Sequence, residues 1–256
     1  LSLTNSVLMP AFGQDWHRVL QLWSMLAFLA GLVWLAITAH PVVRRKERHA
    51  SAQPRQTQRA VITHLLSLPP VRLLMAMAVG TFIFNHSLNN WLPEILRSRG
   101  LTPAQAGFWA STPIIVGIIG SLTLPRLATP PRRHIMLCAV FSAAVLATLL
   151  LQAGSGPLLI SGMILQGIAR STMFTVMMLT LMEMRNVGER NMGTASGLLF
   201  TAAEMGGASG PILLGLVHDA TGGFSAGLAV LTVVTSLLLL GASSLRRLVA
   251  APVLAG

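Results

Sequence analysis

LLISGMILQGIARSTMFTVMMLTLMEMRNVGERNMGTASGLLFTAAEMGGASGPILLGLV, Leu158 to Val217, is two long apolar segments joined by the short polar loop MEMRNVGERN. Each segment carries one charge in its middle, Arg170 in the first and Glu204 in the second, and each lies 17 residues from Val187 at the loop centre. Two antiparallel helices would therefore set the two charges at one depth. On the translocon scale either charge costs about 2.5 to 3.5 kcal/mol at a helix centre, so neither faces lipid alone. The stretch predicts a pair of membrane-spanning helices with Arg170 and Glu204 as an ion pair or coupling pair near mid-membrane.

The rest of the chain agrees. Of its 256 residues 53% are hydrophobic and only 10% charged, and the apolar residues come in unbroken runs. Val19 to Ala39 holds 21 residues without an Asp, Glu, Lys or Arg, and Ala220 to Leu245 holds 26. About 20 apolar residues cross the hydrocarbon of a bilayer, so both runs are long enough to span. The expected fold is all-α, a polytopic transmembrane helical bundle. The net charge of +11 would suit nucleic acid only if the basic residues gathered on one soluble face. They sit instead in the gaps between apolar runs, so nucleic acid is not the expected partner and the lipid bilayer is. One cysteine, Cys138, excludes an intrachain disulfide. No phosphate loop, nucleophilic triad or metal-ligand spacing is present, so neither a cofactor nor a metal is expected, and an enzyme is not the reading.

Taken in order, Leu1 to Ala11 reads as the tail of a helix whose beginning lies outside the sequence. Trp16 to Thr38 is the first full span. Residues 40–68 form a polar linker with Arg44, Arg45, Lys46, Arg48, Arg55 and Arg59 against one acid, Glu47. Six spans are expected beyond it: Pro69 to Leu92, closed by Pro93; Pro103 to Leu124; His134 to Leu151; the two segments of the opening stretch; and one from about Phe224 to Arg247. With the linker on the cytoplasmic side, 14 Lys and Arg fall there and three on the other side, which the positive-inside rule reads as a cytoplasmic C-terminus. A faint repeat also shows. A shift of 90 residues lays Gly107, Gly117 and Gly120 on Gly197, Gly207 and Gly210, on spans that run in opposite directions, as an inverted repeat requires.

Three stretches carry a resemblance. NNWLPEILRSRGLTPAQAGFWAS, Asn89 to Ser111, resembles the seventh helix and following loop of the major facilitator superfamily, in the branch of cyanate and nitrate/nitrite-type permeases. GSLTLPRLATPPRR, with Gly120, Arg126, Arg132 and Arg133, is similar to the family's basic loop between helices two and three of each half, although Ala128 and Thr129 stand where many members carry an Asp. GGASGPILLGLVHDATGGF, Gly206 to Phe224, resembles the end of helix eleven and its turn into helix twelve. The resemblance implies the end of helix five and helix six in residues 1–39, a cytoplasmic linker in 40–68, helices seven to twelve in 69–247 and a cytoplasmic tail in 248–256. The missing N-terminal helices of the same protein would then be a partner.

The same resemblance implies a secondary active transporter of the bacterial inner membrane, with a small-molecule substrate between two halves and a proton as coupling ion. It places Arg170 beside the central cavity, where a guanidinium can hold a carboxylate or similar anion bidentately, with Gln166 one turn away. Asn85, His86, Asn89 and Asn90 are spaced to form a polar face on one helix, and such a face turns inward, away from hydrocarbon. The expected substrate is a small organic or inorganic anion. A drug-efflux antiporter and a non-transporting receptor on the same scaffold are the alternatives. Glu204 would serve as a coupling carboxylate only if Arg170 did not neutralise it.

Overall fold

Prolines and caps set where the helices begin. Pro69, Pro103 and Pro157 each stand in a first helical turn, where the missing N–H costs nothing. Thr102 adds a capping box, its hydroxyl accepting from the Gln105 amide at 3.3 Å while the Gln105 side chain accepts from the Thr102 amide at 3.1 Å. The computed structural model describes residues 8–13, 15–39, 57–153, 156–184 and 186–250. The basic run Arg44 to Arg55, Arg185 and residues 251–256 lie outside them.

The helices are α1 (Met9–Ala11), α2 (Trp16–Ala39), α3 (Gln58–Ser67), α4 (Pro69–Arg97), α5 (Pro103–Ala110), α6 (Thr112–Leu127), α7 (Arg133–Ala153), α8 (Pro157–Met182), α9 (Gly188–Thr221) and α10 (Phe224–Ala250), with a short 3₁₀ turn over Pro130–Arg132. Among the described residues there is no strand, and seven helical stretches are long and apolar enough to cross a membrane. The chain is an all-α integral membrane protein. Residues 1–57 and 58–256 form separate units. The first contains α2, 24 residues without a charge beyond Arg18 and apolar on all sides, as a lipid-embedded helix is.

In the second unit the helices pack as two parallel pairs tied by antiparallel neighbours. α4 and α9 run parallel: Gly206 meets Val79, Gly210 meets Ile83 and Ser87, and Gly215 meets Trp91, whose Nε1 donates to the Pro211 carbonyl at 2.9 Å. A Cβ on Gly206 would strike the Val79 backbone, so this crossing requires glycine, the small-residue device that lets membrane helices approach. α6 and α8 form the second parallel pair, with Pro113 against Gly167 and Gly120 against Ser171. α7 lies antiparallel to α8, and Gln152 near its end joins α10 by donating to Thr232 Oγ1 at 2.6 Å. Arg99, in the turn after α4, donates to the Leu151 and Gln152 carbonyls at the C-terminus of α7. Burial there pushes its pKa below the ordinary arginine value.

Three boundaries differ from expectation. α4 continues through Pro93 to Arg97, because Leu92, Ile95 and Leu96 are buried and their packing outweighs the one backbone bond that the proline removes. The third span is broken at Ser111 into α5 and α6. Part of the expected linker, Gln58 to Ser67, is helix, held by buried Val61 and Leu65.

Candidate functional site

The mid-membrane polar residues come together on α4, α8 and α9. α4 and α8 pack antiparallel, with Thr81 Oγ1 against Met177 Sδ at 3.6 Å and Phe82 against Phe174. That register brings Arg170 level with Asn89, and Arg170 Nη1 donates to Asn89 Oδ1 at 2.9 Å. Asn89 is exposed and Arg170 half-buried. This is the guanidinium's one hydrogen bond among the described residues.

The expected ion pair is not formed. Among the described residues Arg170 makes no salt bridge, and neither does Glu204. The cause is the packing of α9: its glycines lock it against α4 rather than α8, and α8 and α9 barely touch. Glu204 therefore stands beside His86. A Cβ on Gly207 would lie 3.3 Å from His86 Cε1 and 3.4 Å from Glu204 Oε2, so imidazole and carboxylate flank the space that the missing side chain leaves. The salt bridge to Arg170 that argued against a coupling role for Glu204 is not made among the described residues.

The other expected residues separate. Asn90 donates to its own helix, at the His86 carbonyl, 2.8 Å. Asn85 Oδ1 and Gln166 Oε1 are buried with no hydrogen-bond partner among the described residues. Gln166 is 1% exposed and sunk in packing, whereas Arg170, one turn on, keeps an open face. Both α4 and α9 also lose a backbone bond here. Pro93 and Pro211 have no N–H for the carbonyls of Asn89 and Gly207.

The loop residues divide as well. Gly120 lies inside α6, where a Cβ would stand 2.6 Å from Ser171 Oγ, so it serves helix packing. Arg133 pairs with Glu183 and donates to the carbonyls of Leu179, at 3.0 Å, and Ala128. Its side chain is 11% exposed. Where the loop has Ala128 and Thr129, Glu183 at the end of α8 supplies the acid. Arg126 and Arg132 make no ion pair among the described residues.

Sequence reasoning missed an aromatic layer. Phe82 stacks on His86 with centroids 5.3 Å apart, Phe174 meets Phe82 edge-on at 5.1 Å, and Phe200 meets Phe174 at 4.8 Å. The signal was available: each phenylalanine is four residues from a polar side chain of its own helix, at His86, Arg170 and Glu204.

A bundle of long apolar helices that carries Arg170, Asn89, His86 and Glu204 within its spans has the build of a membrane transporter. Comparison with known proteins names the family: the chain belongs to the Major Facilitator Superfamily, whose model matches residues 2–183 and again 74–253. It is 27% identical to the uncharacterized transporter YycB of Bacillus subtilis (strain 168), over 94% of this chain and 58% of the relative. It is 27% identical to a quinolone resistance transporter of Acinetobacter baumannii, over 78% of the chain and 46% of the relative. A 2-nitroimidazole transporter of Escherichia coli (strain K12) is 25% identical over 88% and 56%. The chain spans about half the length of the curated relatives it matches. All three are named as transporters, which points to transport and not to catalysis.

Proposed function

We propose that this chain is the later part of a secondary active transporter that moves a small anion by alternating access, with the anion held at Arg170 and Asn89. The observation that carries the reading is the state of Arg170. It is a half-buried guanidinium in the middle of a spanning helix; among the described residues its one hydrogen bond goes to a neutral amide and no carboxylate is paired with it. An intramembrane charge calls for a counter-charge, and the solute is the one proposed. Asn89 holds one edge of the guanidinium and leaves the remaining N–H donors to grip two oxygens in one plane.

In this reading residues 1–39 end an N-terminal half with helices five and six, 40–68 are a cytoplasmic linker, 69–247 are helices seven to twelve, and 248–256 are a cytoplasmic tail. The distribution of Lys and Arg supports the orientation, and the bacterial relatives support a bacterial inner membrane. A proton is the coupling ion, and the facing pair of His86 and Glu204 is its site. The likeness of Asn89 to Ser111 to cyanate and nitrate/nitrite permeases supports the anion.

Uptake of labelled small anions by vesicles holding the full transporter tests it. Arg170→Gln is expected to abolish accumulation, and Arg170→Lys to weaken it by raising KM, since an ammonium lacks the planar fork. Accumulation by Arg170→Gln at the wild-type rate would sink the reading. A second reading, drug export, is supported by the relatives named for quinolone resistance and for 2-nitroimidazole. Movement of such compounds, insensitive to Arg170→Gln, would favour it.

A further inference from the structure

The polar layer and the aromatic layer are one structure. α8 runs opposite to α4 and α9, and the phenylalanine follows the polar residue on α8 but precedes it on the other two helices: Arg170 then Phe174, against Phe82 then His86 and Phe200 then Glu204. The reversal of order cancels the reversal of direction. All three rings therefore lie on the same side of the polar layer, one helical turn or about 5.4 Å away, toward the end of the bundle that bears Arg133 and Glu183. Phe174 and Phe200 bring α8 and α9 into ring contact, with centroids 4.8 Å apart; the two helices otherwise make few contacts. Phe200 is 47% exposed, an apolar ring one helical turn from the level of the Arg170 guanidinium.

These two features ask for two halves of one solute. A guanidinium fork takes a planar pair of oxygens. Aromatic side chains take another flat ring, edge-on or offset, through the same quadrupole that arranges them among themselves. A solute with its carboxylate on Arg170 and Asn89 would set its ring one turn along, against Phe174 and Phe200. Resting on the anion reading above, we propose that the site takes an aromatic or heteroaromatic carboxylate rather than an inorganic or aliphatic anion. The ring lies on Phe174 and Phe200, with Phe82 backing them.

The test uses the full transporter in nanodiscs and reads the rise in unfolding temperature on titration with benzoate, with cyclohexanecarboxylate, its saturated equivalent of similar size, and with neutral benzamide. Benzoate is expected to bind about two- to twelvefold more tightly than cyclohexanecarboxylate, the range that ring pairing supplies, and benzamide not to register. Phe174→Leu and Phe200→Leu keep an apolar side chain, and their unliganded unfolding temperature reports whether they fold. Each is expected to bring benzoate down to the level of cyclohexanecarboxylate while leaving the latter unchanged within about twofold. Arg170→Gln is expected to lose both acids. Equal binding of the two acids by the wild type, or a benzoate preference that survives both leucine variants, overturns the aromatic assignment and leaves the anion reading standing if Arg170→Gln still loses both. Retention of both acids by Arg170→Gln overturns the anion reading, and this assignment with it.

Discussion

Replacing Gly206 with alanine asks whether the α4 and α9 crossing positions the site. The added Cβ would stand 2.8 Å from the Val79 carbonyl carbon and 2.9 Å from its Cα, with the carbonyl oxygen closer still. These are backbone atoms and cannot rotate aside. Ordinary carbon contacts begin at about 3.5 Å, so the helices must part by roughly half an ångström or more. Overpacking of this kind costs about 1 to 3 kcal/mol, offset by about 1 kcal/mol that alanine gains over glycine in a helix. Gly197→Ala is the control, since nothing lies within 4 Å of its Cβ and only the gain remains. The two variants should differ by about 1 to 3 kcal/mol, which at about 2 to 4 °C per kcal/mol for a unit of this size separates their unfolding temperatures by several degrees. Fluorescence-monitored unfolding in detergent measures it. Gly206→Ala melting together with Gly197→Ala would refute the close crossing, and with it the placement of Glu204 beside His86.

Three further outcomes follow from the geometry. Glu204→Gln is expected to abolish accumulation driven by an imposed pH gradient while sparing solute exchange at equal pH; loss of both would move Glu204 from coupling to binding. Arg133→Gln removes the ion pair to Glu183 and hydrogen bonds from a charged donor, worth about 1.5 to 3 kcal/mol when such bonds are lost, and should lower the unfolding temperature more than Arg132→Gln, whose side chain makes no ion pair among the described residues. Equal effects would remove the special role of Arg133. Trp91→Phe deletes the bond to the Pro211 carbonyl at a cost of about 1 kcal/mol, and an unchanged unfolding temperature would show that bond to be spent elsewhere.

The spans could be read from the sequence because hydrocarbon leaves a chain few choices. Runs such as Val19 to Ala39 must be helices, and polar residues such as Asn89 and Arg170 must turn away from lipid. The partner of each polar residue could not be read. Equal distance from a loop places Arg170 and Glu204 at one depth, but depth says nothing about which helices touch. That is decided by where glycine permits close approach, and Gly206 and Gly210 give α9 to α4. Proline misled in the other direction: Pro93 looks like an ending, yet Ile95 and Leu96 are buried tightly enough to carry the helix past it. The aromatic layer was overlooked because a phenylalanine in a membrane helix is ordinary by itself, and only the recurrence of the four-residue step on three helices distinguishes it.

The faint repeat bears on why Arg170 makes no salt bridge among the described residues. Gly210 on α9 would meet Ser87 of α4, and Gly120 on α6 would meet Ser171 of α8, so the two parallel pairs use the same joint, with offsets of 90 residues between the glycines and 84 between the serines. The residue before each serine is then equivalent, His86 in one pair and Arg170 in the other. Glu204, which faces His86 across Gly207, corresponds under the same shift to Ile114. By that correspondence the position that Glu204 takes beside His86 falls on an isoleucine in the second pair, so the sequence offers Arg170 no acid there. In the reading proposed above, the difference at that one position separates the pair assigned to coupling from the pair assigned to binding. Ile114→Glu should close that difference by giving Arg170 an internal counter-ion. Ile114 is 48% exposed, so the longer side chain has room, and the variant is expected to fold, reach the membrane and lose at least about tenfold in anion affinity, the cost of displacing a paired carboxylate worth about 1.4 kcal/mol or more. Restoration by Ile114→Gln, which has the same shape without the charge, would tie the loss to the carboxylate. Unaltered affinity in Ile114→Glu would break the equivalence of the two joints and the account of Arg170 that rests on it.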